Sequence, residues 1–552
     1  MNYFKLNTFN FMNGNNTMKT TIATLVLASI ALPLFAAQQT ASQASSKSAP
    51  TATPATQNAT AGTSVPKRPE EIKYGPLTFD APDATKFRFT LKDGTAVYMA
   101  PSKEFPLISL SMTFKGGNYL EPKDMVGLAG MTGRMIREGG TTTMKPAEFD
   151  EATDFLATQI SANCGDTTSS ASMNCLTNNF DESLKLFVDM LRNPGFDAAR
   201  LETNRGQALE GMKQRNDDAG SIMGREWNRL MYGSDHFESL DATEASLKAI
   251  TPEKMRAFQA RIFNPGNVII AVSGDFEPEA MLAKLNAAFD GWARGEKMAD
   301  PPAPTAKIVP GIYHVQKDIP QGKVRIGMRS ITRDDPDYIP YLLLNDILGG
   351  GGFTSRIMQQ VRSNEGLAYS AGSRLATKVY YPGVFAASYE SKNPTVALAA
   401  KIVLEEMDKV RNQPVTAEEL ETAKRQFIET FPRTFESKPA MLGVFVGDEW
   451  TNRPKDYWKT FRDKVNAVTA ADLQRVAQKY VDPNQMVLLV VGDWSTVGPG
   501  DSTGRAKMDD LLGGKVKHLP LRDPMTMQPI VNMDQVTPTP PVTNTEGLAP
   551  SR

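Results

Sequence analysis

Apolar and polar positions along this chain switch between two periods, and the switches outline its elements. Residues 87–100 (FRFTLKDGTAVYMA) read as a β-hairpin turning at Asp93-Gly94, a pair that accepts the positive φ of a tight turn. Residues 107–114 form a further strand. Leu184, Phe187, Val188 and Leu191 then fall at i, i+3, i+4 and i+7, the apolar stripe of a helix that Pro194 stops. Val403, Met407 and Val410 mark an equivalent helix further on. Between residues 164 and 175 the pattern alternates again, predicting two strands about a turn near residues 166–169. Runs of strands with intervening helices indicate an α+β chain with mainly antiparallel sheets.

The pattern occurs twice. Residues 247–276 read LKAITPEKMRAFQARIFNPGNVIIAVSGDF and residues 465–494 read VNAVTAADLQRVAQKYVDPNQMVLLVVGDW, aligning without a gap at an offset of 218. Each predicts a helix started by a threonine (Thr251, Thr469), a turn containing proline, an apolar strand and Gly-Asp. Upstream, Arg192-Asn193-Pro194 with Leu201-Glu202-Thr203 answers to Arg411-Asn412-Gln413-Pro414 with Leu420-Glu421-Thr422, at an offset near 219. Solenoid units recur every roughly 20–50 residues, so a repeat of this length is a duplicated domain. We expect two homologous halves, residues 80–298 and 311–520, joined by a Pro-rich linker at residues 299–310.

Composition changes the picture at the two ends. Lys19 precedes a fourteen-residue apolar run, residues 22–35, that closes on Ala36-Ala37. Crossing a bilayer takes about 20 apolar residues. The run therefore reads as the core of a secretory signal peptide over residues 1–37, with Met18 as an alternative start and an uncleaved anchor as the alternative fate. Cleavage would leave a periplasmic or secreted chain with no membrane span. Residues 38–79 are a low-complexity tether rich in Ala, Thr, Ser, Gln and Pro, and residues 521–552 are expected to be a disordered tail. In an oxidising compartment, Cys164 and Cys175, facing each other across the predicted hairpin, would form a disulfide; two buried free thiols are the alternative.

Charge and histidine content exclude whole classes of function. With 61 Lys+Arg against 62 Asp+Glu, the chain lacks the basic footprint of a nucleic-acid-binding protein. Its 2 cysteines cannot build a disulfide scaffold or a cysteine metal cluster. The 3 histidines, His236, His314 and His518, put no pair on one helix face, so no histidine metal site is expected. Neither a G-x-S-x-G elbow nor a Walker loop occurs.

Two segments carry a resemblance. Residues 116–141 read GGNYLEPKDMVGLAGMTGRMIREGGT, and residues 348–373 read LGGGGFTSRIMQQVRSNEGLAYSAGS. They resemble the two signatures of the pitrilysin/insulinase family of inverzincin metallopeptidases, which includes the mitochondrial processing peptidase and the core subunits of the bc1 complex. The likeness covers about residues 80–520. In active members the first signature is G-x-x-x-E-x-x-x-x-x-G-L-A-H-x-x-E-H. Here the H-x-x-E-H positions hold Gly130, Met131, Thr132, Gly133 and Arg134. That motif needs two histidines one helical turn apart as zinc ligands and a glutamate as general base. Gly130 and Gly133 supply neither, and Arg134 repels a cation. Glu210 stands near the place of the family's third ligand, but Glu429 takes the same place in the second repeat, which points to a surface or fold role.

The second signature, L-G-G-x-x-x-S-R-L-x-x-x-x-R-E-x-x-G-L-A-Y-S, is closely matched. The resemblance implies that Arg362 holds the substrate backbone and that Tyr369, seven residues later, helps stabilise the oxyanion. Both side chains are donors suited to a carbonyl oxygen and developing negative charge. The blander assignment makes Arg362 a surface helix residue and Tyr369 a core aromatic opening a strand. Several family members are heterodimers in which one subunit brings H-x-x-E-H and the other the Arg/Tyr pair. The resemblance thus implies a subunit that binds no metal or cofactor itself, acts on peptides, and pairs with a homologous subunit holding the zinc. An inactive scaffold like the bc1 core subunits, or a peptide-binding pseudopeptidase, is the alternative.

Overall fold

The computed structural model describes residues 78–530, together with Arg68. The expected signal peptide, nearly all of the tether and residues 531–552 lie outside the described residues. Residues 78–530 belong to one compact unit, Pro76–Arg552.

Each half forms one six-stranded mixed sheet with packed helices. In the first, β1 (Arg88–Thr90), β2 (Ala96–Pro101), β3 (Leu107–Lys115), β4 (Gln159–Cys164), β5 (Thr168–Leu176) and β6 (Val268–Gly274) lie in the order β1-β2-β6-β3-β5-β4. In the second, β7 (Gly311–Gln316), β8 (Gln321–Arg329), β9 (Ala368–Ala376), β10 (Val384–Lys392), β11 (Val487–Gly492) and β12 (Val516–Leu519) lie in the order β12-β7-β11-β8-β10-β9. Only β2–β6, β7–β11 and β7–β12 run parallel. The Asp93-Gly94 hairpin forms, with Gly94 at φ 90°.

The repeat is plain in the elements. Helices Pro252–Ile262 and Ala470–Tyr480 are capped by the hydroxyls of Thr251 and Thr469. They feed β6 and β11, which are buried along nearly their whole length between neighbouring strands. The predicted stripes face the cores: Leu184, Phe187, Val188 and Leu191 are buried on helix Phe180–Arg192, and Val403, Met407 and Val410 on helix Val396–Asn412.

The halves exchange helices. Helix Ala219–Tyr232, from the first repeat, packs Met223, Trp227 and Met231 onto the second sheet against Tyr313, Leu489 and Val491. Helix Lys438–Trp450, from the second repeat, packs Leu442, Phe445 and Val446 onto the first sheet against Tyr98, Ile269 and Ala271. Each helix therefore covers part of the opposite half's sheet.

Two expectations are corrected. Cys164 and Cys175 are free and buried. The β4–β5 register pairs Cys164 with Ser169 and Gln159 with Asn174, because the turn closes early, with Gly165 N donating to Thr168 O at 3.0 Å. Cys175 instead lies opposite Ile108 of β3. Cys164, at the end of β4, thus lies beside the Ser169 end of β5 and Cys175 near its other end, roughly 20 Å apart at the rise of a strand, against the ~7 Å a disulfide can span. The predicted disulfide is absent, and burial pushes the Cys164 thiol up to about 12. The tail expected to be disordered is ordered over residues 521–530. Arg522 Nε meets Glu226 at 2.7 Å, Asn216 Nδ2 donates to Arg522 O at 2.7 Å, and Glu244 N donates to Met525 O at 2.8 Å. Backbone hydrogen bonds and one buried ion pair hold it, and neither leaves a periodic pattern in sequence.

Candidate functional site

Glu121 organises the first signature. Its carboxylate accepts from Ala129 N at 2.6 Å and from Gly127 N at 3.2 Å, closing the N-terminus of helix Leu128–Glu138. Burial raises its pKa to about 7, opposed by those two N–H groups. On the same helix Gly133 is buried against β4, where an added Cβ would lie 2.5 Å from Cys164 N. No side chain fits there unless helix and strand separate. Gly130 is the opposite case: it is exposed, and an added Cβ meets nothing within 4 Å.

A fixed cation occupies the end of the degenerate motif. Arg134 Nε pairs with Glu138 Oε1 at 2.9 Å, and its Nη2 donates to Gln207 Oε1 at 2.8 Å. Asn204 Nδ2 completes the network on Glu138 Oε2 at 2.9 Å. From helix Ala198–Lys213 it is Gln207 that faces Arg134, while Glu210 is exposed and pairs with Lys213 at 2.6 Å. These residues do not fit zinc: a guanidinium stands at a ligand position, and two glycines stand where a ligand and a base are needed. Among the described residues no group of three His, Cys, Asp or Glu could hold a metal ion. The histidines do pair, in a way that their spacing did not reveal. His314 on β7 and His518 on β12 share a 2.9 Å Nδ1–Nδ1 hydrogen bond, and His314 Nε2 is 3.0 Å from Gly492 O. Both nitrogens of His314 are thereby used.

The second signature holds a half-buried cation close to two aromatic rings. Its backbone contains two widened helical turns, Asp346–Gly350 and Gln359–Asn364, a feature frequent at functional sites. Gly349 lets this segment touch β9, since a Cβ there would overlap the backbone N of Ser373. Arg356 anchors the segment through two bonds to Glu419, at 2.6 and 2.8 Å. Arg362 lies 4.7 Å from the Phe353 ring centroid and 4.8 Å from that of Tyr369. Tyr369 opens the edge strand β9 but is 85% exposed, which sets aside the core-aromatic assignment. Among the described residues neither the phenol of Tyr369 nor the guanidinium of Arg362 has a hydrogen-bond partner. A guanidinium over an aromatic ring keeps its N–H donors, and none of those of Arg362 is taken up among the described residues.

Tyr369 also borders a cavity of about 700 Å³ on the second sheet. Lys323, Arg325, Ser388 and Glu390 line it from β8 and β10, and Gly220 and Met223 of the exchanged helix wall it. Sequence reading missed Phe353, whose one signal was its place directly after the glycine run, and the charges on β8, whose common face is set by strand alternation.

Comparison with known proteins fits this geometry. The family description Insulinase (Peptidase family M16) matches residues 99–236, and Peptidase M16 inactive domain matches residues 249–427. The non-peptidase homolog YmxG of Helicobacter pylori is 22% identical over 394 residues, 70% of this chain and 89% of that protein. The crystal structure of a peptidase M16 inactive domain from Pseudomonas fluorescens aligns with a TM-score of 0.66 at 24% identity, covering 74% of this chain and 97% of that one. The periplasmic protease PqqL of Escherichia coli aligns with a TM-score of 0.62 at 12% identity, covering 74% of this chain and 45% of that one. The two family matches together span more than half of the sequence, and the chain belongs to the insulinase (M16) peptidase family as a member without its zinc-binding residues.

Proposed function

We propose that this chain is the non-zinc subunit of a periplasmic heterodimeric peptidase, whose homologous partner carries H-x-x-E-H and the zinc. The observation that carries this reading is the Arg362–Tyr369 pair, with no hydrogen-bond partner among the described residues and with the exposed Tyr369 bordering a large cavity, in a chain whose zinc-motif positions hold glycine and arginine. A peptide lying along the site would present its carbonyl oxygens to the in-plane N–H groups of Arg362. The Tyr369 O–H would donate to the oxyanion formed when the scissile carbonyl is attacked at the partner's site. β9 is the edge strand of its sheet, the position at which an extended peptide adds to a sheet. Among the described residues no helix is long and apolar enough to cross a membrane.

The relative named as a non-peptidase homolog supports a second reading, a scaffold or peptide-capturing pseudopeptidase of the same fold. Turnover separates the two. In the assembled pair, Tyr369→Phe should lower kcat by about a hundredfold, the scale of losing one oxyanion donor, with the zinc content unchanged. Wild-type turnover in that variant would remove Tyr369 from the mechanism.

A further inference from the structure

The open face of the second sheet is charged where the matching face of the first is neutral. Arg325 of β8 lies opposite Leu489 of β11 and Ser388 of β10. In the first half the same register point is Ser111 of β3, opposite Ala271 of β6 and Ser172 of β5. The cavity around Ser111, about 320 Å³, is lined by uncharged groups including Ser109, Ser161, Ser172 and Asn174. The architecture is thus built once without any charge at this point, so Arg325 is not there to hold the fold.

Arg325 has a wall but no counter-ion. Its guanidinium lies 5.5 Å from the ring centroid of Trp227 on the exchanged helix. Among the described residues it makes neither a hydrogen bond nor an ion pair. Burial lowers its pKa, and no carboxylate offsets that shift. Around it, Lys323 is paired to Glu390, and Lys392 adds a further positive charge at the same cavity. The lining therefore carries Lys323, Arg325 and Lys392 against the single carboxylate of Glu390. A half-buried guanidinium without an anion is costly, and a carboxylate entering the cavity would meet its planar fork with two parallel hydrogen bonds.

We propose that Arg325 is the carboxylate receptor of the peptide site, so that peptides taken by this chain bring an acidic side chain or their own C-terminal carboxylate into the cavity beside Tyr369. This inference rests on the reading of Arg362 and Tyr369 as the peptide-binding pair. Recognition by charge would act before chemistry, selecting which peptides lie across the Arg/Tyr pair.

The test is fluorescence anisotropy of labelled peptides of one length on the chain over residues 38–552. Three probes suffice: a glutamate-containing peptide with an amidated C-terminus, a glutamine version with a free C-terminus, and a glutamine version that is amidated. A carboxylate-bearing probe should bind at least about tenfold tighter than the neutral one, and which of the two does so identifies the source of the carboxylate. Arg325→Met keeps an apolar stem against Trp227 and should erase that preference while leaving the neutral peptide's affinity unchanged. Arg325→Lys should retain part of it, and thermal melts of both variants check that the fold is intact. A preference that survives Arg325→Met, or charge-blind binding that is lost on Arg362→Ala, would overturn the role of Arg325 and leave the Arg/Tyr reading standing. Failure of every probe to bind would overturn both.

Discussion

Glu121 couples the first signature to pH. Burial raises its pKa from 4.5 to about 7, so the folded chain binds this proton more tightly than the unfolded one. Its contribution to stability is then complete below pH 4.5 and lost as pH rises through about 7. His314 has the opposite sign: burial lowers its pKa from 6.5 to about 4, so its contribution is present above pH 6.5 and lost as pH falls through about 4. Melting curves between about pH 4 and about pH 8 should show Tm declining on the alkaline side in the wild type and flatter there in Glu121→Gln. Parallel profiles for the two proteins would contradict the assignment. At this scale the sequence was legible where a signature survives. Arg362 and Tyr369 could be picked out because the residues around them keep the family's pattern. The Phe353 ring beside Arg362 and the solitary Arg325 could not, because loop closure and strand register place them.

Helix Leu128–Glu138 carries two glycines with opposite predicted effects. Gly130→Ala adds a methyl to open space and should stabilise by up to about 1 kcal/mol through helix propensity. Gly133→Ala places its Cβ 2.5 Å from Cys164 N and should cost about 1–3 kcal/mol as the helix is pushed off β4. Urea denaturation of the two variants reads both signs, and equal effects would mean that the helix does not press on the strand. The same contact shows why the lost motif cannot be restored by substitution alone: a glutamate at Gly133 has no room. Elements with a strong period were readable in advance, among them the Asp93-Gly94 hairpin, helix Phe180–Arg192 and the repeated helix–turn–strand ending in β6 and β11. The β4–β5 hairpin was placed, but its register was not. Alternation fixes which residues share a face and leaves the turn free to slide along the strands. Gly165 closes this one early enough to separate the cysteines.

For the whole molecule, duplication was legible and helix exchange was not. An apolar stripe says that a helix must be covered, not which sheet covers it, so Ala219–Tyr232 and Lys438–Trp450 read simply as parts of their own halves. The exchange matters for function because it walls the cavity beside Tyr369 with a helix of the first repeat, making the site a product of both. Under the proposed function, the chain contributes a donor pair, Tyr369 from edge strand β9 and Arg362 from the helical turn Gln359–Asn364, beside a charged cavity. The most direct test is to capture this protein from its native extract and assay the eluate for chelator-sensitive peptidase activity, alongside the recombinant chain alone. Our account predicts activity that co-elutes with a homologous zinc subunit, falls on Tyr369→Phe and is absent from the isolated chain. Chelator-sensitive activity from the chain by itself would contradict it.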